Sequence, residues 1–382
     1  MNTVLYDLLL FIKSLYPNEN PVPLHAPRFQ EKEKDYLADC IDSTYVSYVG
    51  PYVTKFEDLI KAYTGVRHAI AMVNGTAAIQ IALIAAGLKP GEEVITQALT
   101  FVATANGIRH AGGEPVFIDV DKDTLGMSPS ALSEFLSQNI EKRDDGCYNK
   151  KTGRKVFAVM PMHTFGLACR IQHIKAICEE WGLLLIEDAA ESLGTFVEDT
   201  HTGNFGIASV LSFNGNKPVT TGGGGMILTN NDAIAEKARH ISTTAKRKHQ
   251  WEFFHDELGW NYRMPNINAA IGFAQMERID YIIENKRETA QRYAEWGRKN
   301  GVQFIHEMPK THSNYWLNAI VVKDKAEREE FLAYSNANGV QTRPIWVLMN
   351  KLPMYKDSFA GPLENSLWLE DRIVNVPSSV RV

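Results

Sequence analysis

Between residues 66 and 230 the chain alternates short apolar runs of strand length with longer stretches of helical spacing. The runs fall at 69–73, 93–96, 114–118, 156–160, 183–186, 208–211 and 225–228. This alternation predicts an α/β fold with a mostly parallel central sheet and helices on both faces. Ligands of such sheets bind at the carboxyl ends of the strands. Upstream, Leu5, Leu8, Leu9, Ile12 and Leu15 share one helical face, which predicts an amphipathic helix docked on the body or on a dimer mate. The proline-rich stretch 17–27 then reads as an extended arm, 30–43 as a helix, 47–53 as a loop and 53–64 as a helix. Downstream, the pattern predicts one long helix over 266–300, a strand within 316–322 and a helix over 325–337, together a smaller C-terminal α+β domain. The polar stretch 141–155, punctuated by Asp144-Asp145-Gly146, is expected to be a surface loop. The divisions are an N-terminal helix and arm over 1–29, a large domain over 30–260, and the long helix with the small domain over 261–382.

The chemistry gathers at the ends of the runs. Lys217 follows the strand-like Ala208-Ser209-Val210-Leu211 and precedes four glycines at 222–225. A lysine pinned between two strands can be held dry, where lost hydration lowers its pKa and leaves the amine nucleophilic. Schiff-base formation with an aldehyde cofactor is the use of such a group. A phosphate loop or dinucleotide turn is excluded, because those glycines precede the lysine or the helix they serve. The run Leu183-Leu184-Leu185-Ile186 ends in Glu187-Asp188, which places a carboxylate where a pyridinium nitrogen could pair with it. The run 69–73 leads into Asn74-Gly75-Thr76 and an apolar helix, a strand–turn–helix start whose backbone N–H groups suit a phosphate. Three separate segments thus supply the three things pyridoxal phosphate needs.

These stretches, with Thr100-Phe101-Val102-Ala103-Thr104-Ala105-Asn106 and Asn261-Tyr262-Arg263-Met264, resemble the DegT/DnrJ/EryC1/StrS family of sugar aminotransferases. The family has the fold type I architecture of pyridoxal-phosphate transferases, so the resemblance implies that fold and that cofactor. Within it, Ser212-Phe213-Asn214-Gly215-Asn216-Lys217 and the long N-terminal lead resemble the legionaminic acid and bacillosamine pathway type. That resemblance implies transfer of an amino group, from glutamate, to C4 of a UDP-linked 4-keto-6-deoxy-N-acetylhexosamine in the biosynthesis of surface-glycan amino sugars. Lys217 would be the catalytic lysine, Asp188 the pyridinium partner, and Asn74, Gly75, Thr76 and Ser212 the phosphate contacts. Phe101 stands where the family places an aromatic that stacks on the ring; a core phenylalanine is the plainer use. Glu191 stands where many members carry a Gln or His that donates to the cofactor's phenolic oxygen. An ionised Glu cannot donate, so either Glu191 is protonated or another group makes that contact. Asn261 would reach across a homodimer interface to the neighbour's cofactor phosphate.

Substrate contacts are more open. Gly50 and Tyr52 lie in a loop that bounds the family's sugar site, or in a plain turn before a helix. His163 follows the run at 156–160 and either lines the pocket or fills the core. Lys246 and Arg247 belong to the one compact basic run, a solvated loop or a pair of diphosphate contacts, and Arg263 of the 261–264 motif is a further substrate-binding candidate. No metal-ligand spacing is expected around these residues.

Composition narrows the function class further. The 382 residues are 45% hydrophobic and 22% charged with a formal net charge of −5, ordinary globular usage without the basic excess of nucleic-acid binders. Four cysteines lack paired spacing, as expected of a reduced cytoplasmic protein, and the apolar N-terminal stretch has neither the basic flank of a signal nor the length of a membrane span. Two alternatives to this C4 transfer remain on the same fold: amination at C3 or of another nucleotide-linked keto sugar, and a pyridoxal-phosphate sugar dehydratase, whose family members replace the lysine by histidine. A non-catalytic binding protein is disfavoured by the Lys217 and Asp188 pair.

Overall fold

The computed structural model describes residues 3–30 and 32–382. Its central sheet runs, in spatial order, His68–Met72, Gly225–Thr229, Ala208–Ser212, Leu184–Asp188, Lys155–Met160, Glu93–Gln97 and Glu114–Ile118. The last five are parallel to one another, and Gly225–Thr229 is antiparallel to both of its neighbours. All seven runs marked by the apolar pattern are therefore strands. Side-chain alternation sorts their residues to two faces. Ile70, Met72, Val210 and Ile227 face the helix Gly75–Ala86, packing on Ala78, Ile79, Ala82 and Leu83. Ala69, Ala71, Leu211, Met226 and Leu228 face the opposite way, onto Phe56 and Ile60 of the helix Pro51–Thr64 and Ala269 and Ala270 of the helix Asn266–Met276.

Two expectations are corrected. The stretch expected as a surface loop holds a β-hairpin, Ile140–Arg143 with Gly146–Asn149, whose second strand pairs with Lys155–Met160. Asp144-Asp145-Gly146 is its turn, with Gly146 at φ 142°, and the exposed charges of its edge strand hid the pairing from an apolar pattern. The single helix expected over 266–300 is two, Asn266–Met276 and Ile279–Asn300. Neither proline nor glycine marks the break. The backbone turns at Arg278 because the first helix packs on Lys32–Asp42 and Pro51–Thr64, while the second packs on the C-terminal sheet.

That second sheet is antiparallel, in the order Gln303–Phe304, Asn318–Val321, Ile373–Val376, Arg343–Pro344, with the helix Lys325–Ala337 against it. The N-terminal helix Thr3–Leu15 docks on this chain's own body. Leu5, Leu8, Leu9 and Ile12 are buried against Tyr293, Phe304, Ile320, Phe331 and Val374, each leucine contributing roughly 2 kcal/mol of apolar burial. The arm after it is tied down where Val22 bridges Val340 and the Leu24 carbonyl accepts from Ser378 N–H at 2.8 Å. Among the described residues no helix is long and apolar enough to cross a membrane.

Candidate active site

A cavity of about 710 Å³ opens at the carboxyl ends of the parallel strands, between the main sheet and the C-terminal sheet. Asn74, Gly75, Thr76, Phe101, Asp188, Glu191, Ser212 and Lys217, candidates from four separate stretches, all line it. Each arrives by its own local logic. Asn74 caps the helix Gly75–Ala86, its Oδ1 accepting from Ala77 N–H at 2.8 Å, and this helix start, Asn74-Gly75-Thr76, lines the cavity. Glycine brings this turn against the sheet, tightly at Gly75 and without alternative at Gly225. A Cβ on Gly75 would stand 3.2 Å from Ser212 Cβ, and one on Gly225 only 2.4 Å from the Asn74 carbonyl. Without side chains there, the helix N-terminus and the Ser212 hydroxyl lie side by side.

Asp188 ends the strand Leu184–Asp188 and is 2% exposed. Its Oδ2 accepts from Thr104 Oγ1 at 2.6 Å and its Oδ1 from Ala190 N–H at 3.1 Å. Burial pushes its pKa up, and the Thr104 and Ala190 donors pull against that. It has no ion-pair partner among the described residues, so the cavity holds a buried carboxylate suited to a cationic group on a ligand. Lys217 Nζ lies 3.3 Å from Glu191 Oε1 and 3.6 Å from the centre of the Trp316 ring. Burial lowers the Lys217 pKa, and Glu191 opposes it. Burial raises Glu191 to about 7, with Lys217 and the Phe165 N–H at 2.8 Å acting against the shift. Phe101 is half exposed at the cavity, its ring 6.1 Å from that of Trp346.

The donor set fits pyridoxal phosphate. A helix N-terminus with a hydroxyl beside it suits a phosphate, an unpaired buried carboxylate suits a pyridinium, and a dry lysine suits an aldehyde. Thr104 was missed as a contact, although it lies inside a quoted motif. Trp316, Trp346, His25 and Arg343 also line the cavity and had no local signal, because each joins it from a distant part of the chain.

The remaining candidates lie elsewhere. His163 is fully buried behind the strand ends: its Nε2 lies 3.1 Å from Glu187 Oε2, and its Nδ1 accepts from Cys169 N–H at 3.3 Å. It does not line the cavity, so in this chain it is a core histidine. Tyr52 is buried among Tyr36 and Phe273, and Gly50 abuts Asn266, whose Oδ1 accepts from Tyr52 N–H at 2.9 Å. Neither reaches the cavity. Lys246, Arg247 and Arg263 meet in a second, basic cleft of about 460 Å³ with Tyr48 and Arg239. Arg263 pairs with Glu57 at 2.7 Å, and its Nη1 is buried without a partner. Asn261 is exposed, bridged to Thr243.

Known proteins resemble this chain over most of its length. A model of the DegT/DnrJ/EryC1/StrS aminotransferase family matches residues 27–382. The chain is 36% identical over 364 residues to a GDP-perosamine synthase of Vibrio cholerae, covering 94% of each chain. It is 34% identical over 360 residues to a GDP-perosamine synthase of Escherichia coli O157:H7, covering 94% of this chain and 93% of that one. A crystal structure of a DegT DnrJ EryC1 StrS aminotransferase from Brucella abortus superimposes with a TM-score of 0.82 at 28% identity, covering 91% of this chain and 90% of that one.

Proposed function

The chain belongs to the DegT/DnrJ/EryC1/StrS aminotransferase family, and from that premise we propose that it transfers an amino group to the keto carbon of a sugar carried on a nucleoside diphosphate. It is a pyridoxal-phosphate-dependent sugar aminotransferase. Bound in the cavity, the cofactor supplies a carbonyl that condenses with amines and a ring that accepts an electron pair. Around it, this chain's residues do four things. Gly75 and Thr76 N–H and the Ser212 hydroxyl would bind the phosphate. Asp188, steadied by Thr104 and Ala190, would hold a proton on the ring nitrogen. Phe101 would cover the ring face. Lys217 would take a proton at Nζ from one carbon and return it to another.

Glu191 would donate in its protonated form, which burial favours by raising its pKa to about 7. The observation that carries the reading is the convergence of Lys217, Asp188 and the Gly75–Ala86 helix start on one cavity. On the nucleotide, the two relatives named GDP-perosamine synthase favour a GDP-linked keto sugar. The UDP-linked 4-keto-6-deoxy-N-acetylhexosamine expected from the 212–217 stretch is the second reading. Glutamate is the proposed donor for either.

A homodimer with shared sites is part of the proposal. Lys246, Arg247 and Arg263 gather in a cleft apart from the Lys217 cavity, and Arg263 Nη1 lacks a partner there, as expected if the cleft completes a neighbour's site. Beside them Trp251, Phe253 and Phe254 are exposed, an apolar surface that a second copy would cover. The test is a mass-spectrometric assay with glutamate and paired GDP- and UDP-linked 4-keto sugars, with Lys217→Ala as control. Amination of the GDP sugar alone supports the first reading and of the UDP sugar alone the second. Amination of either by Lys217→Ala at the parent's rate would refute the mechanism.

A further inference from the structure

The wall of the cavity opposite the strand ends comes from the C-terminal sheet, and one residue of it reaches the lysine twice. Trp316, 5% exposed, precedes the strand Asn318–Val321. Its ring centre stands 3.6 Å from Lys217 Nζ. Its indole Nε1–H donates at 2.7 Å to the carbonyl of Asn216, the residue before the lysine. Its own backbone is pinned on both sides: the N–H donates to Asn314 Oδ1 at 2.7 Å, and the carbonyl accepts from Lys286 Nζ at 3.2 Å. Asn314 Nδ2 also donates to the Glu191 carbonyl at 2.8 Å. Ring, lysine and carboxylate are thus held in one frame.

We propose that Trp316 is a positioning residue for amino transfer, its ring face steadying the Lys217 amine while that amine carries a proton and its indole N–H fixing the peptide from which the lysine projects. This rests on Lys217 being the proton carrier, as proposed above. The amine takes up one proton and gives one back, so it must stand briefly as an ammonium in a site that has little water to solvate it. Burial disfavours that form, and Glu191 and Asp188 favour it from the strand-end side. On the other side stand bases and cations: His25 on the N-terminal arm, Arg343 in the cavity lining, and Lys286, 1% exposed, whose amine is held by His25 Nε2 at 3.0 Å and by the Trp316 and Ser378 carbonyls. None of them favours a further cation. When Glu191 takes up its own proton its attraction is lost, whereas the π face has no proton to gain and continues to act. A desolvated ammonium over indole is favoured by an amount equivalent to about one pH unit or more of proton affinity.

Trp316→Leu removes both the face and the N–H, and Trp316→Phe removes the N–H and leaves a weaker face. The cofactor-free full chain with isotope-labelled lysine is titrated by NMR, with the Lys217 signal identified by its absence from Lys217→Ala. The holoenzyme's kcat and both KM values are measured alongside. Trp316→Leu is expected to lower the Lys217 midpoint by roughly one pH unit and kcat on the order of tenfold, with KM for donor and sugar nearly unchanged. Trp316→Phe is expected to fall between the two. Should the leucine variant not fold, the phenylalanine variant decides alone: a midpoint and kcat equal to the parent's overturn the proposal. Full activity in Lys217→Ala would instead sink the function proposed above. An inactive Lys217→Ala beside parent-like Trp316 variants removes only the role of the tryptophan.

Discussion

Lys217 Nζ and Glu191 Oε1 stand 3.3 Å apart, with side chains 9% and 1% exposed. Neither can rely on water to carry its charge. Burial pulls the lysine down and pushes the carboxyl up to about 7, so burial brings the proton affinities of the two groups closer together than they are in water.

Glu191→Gln tests whether the carboxyl works in its protonated form. Its folded pKa of about 7 lies above the ordinary 4.5 to which it returns on unfolding. The proton it holds in the fold therefore stabilises fully below that ordinary value, and the contribution is lost as pH rises through about 7. In the cofactor-free chain the melting temperature of the parent should fall more steeply across this window than that of the glutamine variant. In turnover, glutamine still donates a hydrogen bond, so the variant should stay active and lose the decline above about pH 7. Identical pH profiles in both proteins would assign the titration to another group.

Asp188→Asn keeps the shape of the strand end and removes the buried charge. The cofactor should remain bound through the separate phosphate contacts, as followed by its visible absorption. Turnover is expected to fall roughly a hundredfold to a thousandfold, the scale of stranding one member of a buried charge pair. A change within about threefold would make Asp188 a structural carboxylate.

Gly225→Ala probes the phosphate cradle without touching a charged group. The new Cβ would meet the Asn74 carbonyl at 2.4 Å and Gly75 N at 2.7 Å, backbone atoms that cannot turn aside. The start of the helix must move, and cofactor affinity, read by absorbance titration with Lys217 intact, should weaken by about tenfold or more. Unchanged affinity would place the phosphate elsewhere.

Mixing Lys217→Ala with Asn261→Ala tests the shared site. Asn261 is exposed and stands outside its own chain's cavity. If it serves a neighbour, a mixed dimer assembles one site free of both lesions, and activity should return toward a quarter of the parent's at equal mixing, from statistical pairing and one sound site per mixed dimer. Native mass spectrometry confirms that mixed dimers form. No recovery from two inactive parents that demonstrably pair would confine Asn261 to its own chain.

The sequence by itself determined the strands, their helical covering and the residues at their ends. A buried strand must be apolar along its whole length, and a ligand group at its end must break that run, so Leu184-Leu185-Ile186 followed by Asp188 is legible from neighbours alone. The same locality hid the hairpin at 140–149, whose edge strand carries exposed charges, and the break at Arg278, which is imposed by what each half of the helix packs against. Only the tertiary structure decided which candidates meet. It set Asn74, Asp188, Glu191 and Lys217 around one cavity, sent Lys246, Arg247 and Arg263 to another cleft, and turned His163 into the core. It also brought Trp316 and Lys286 behind the lysine from nearly a hundred residues and about seventy residues away in the chain. Periodicity reports which face a residue takes on its own element; the packing of one element on another decides which faces become neighbours.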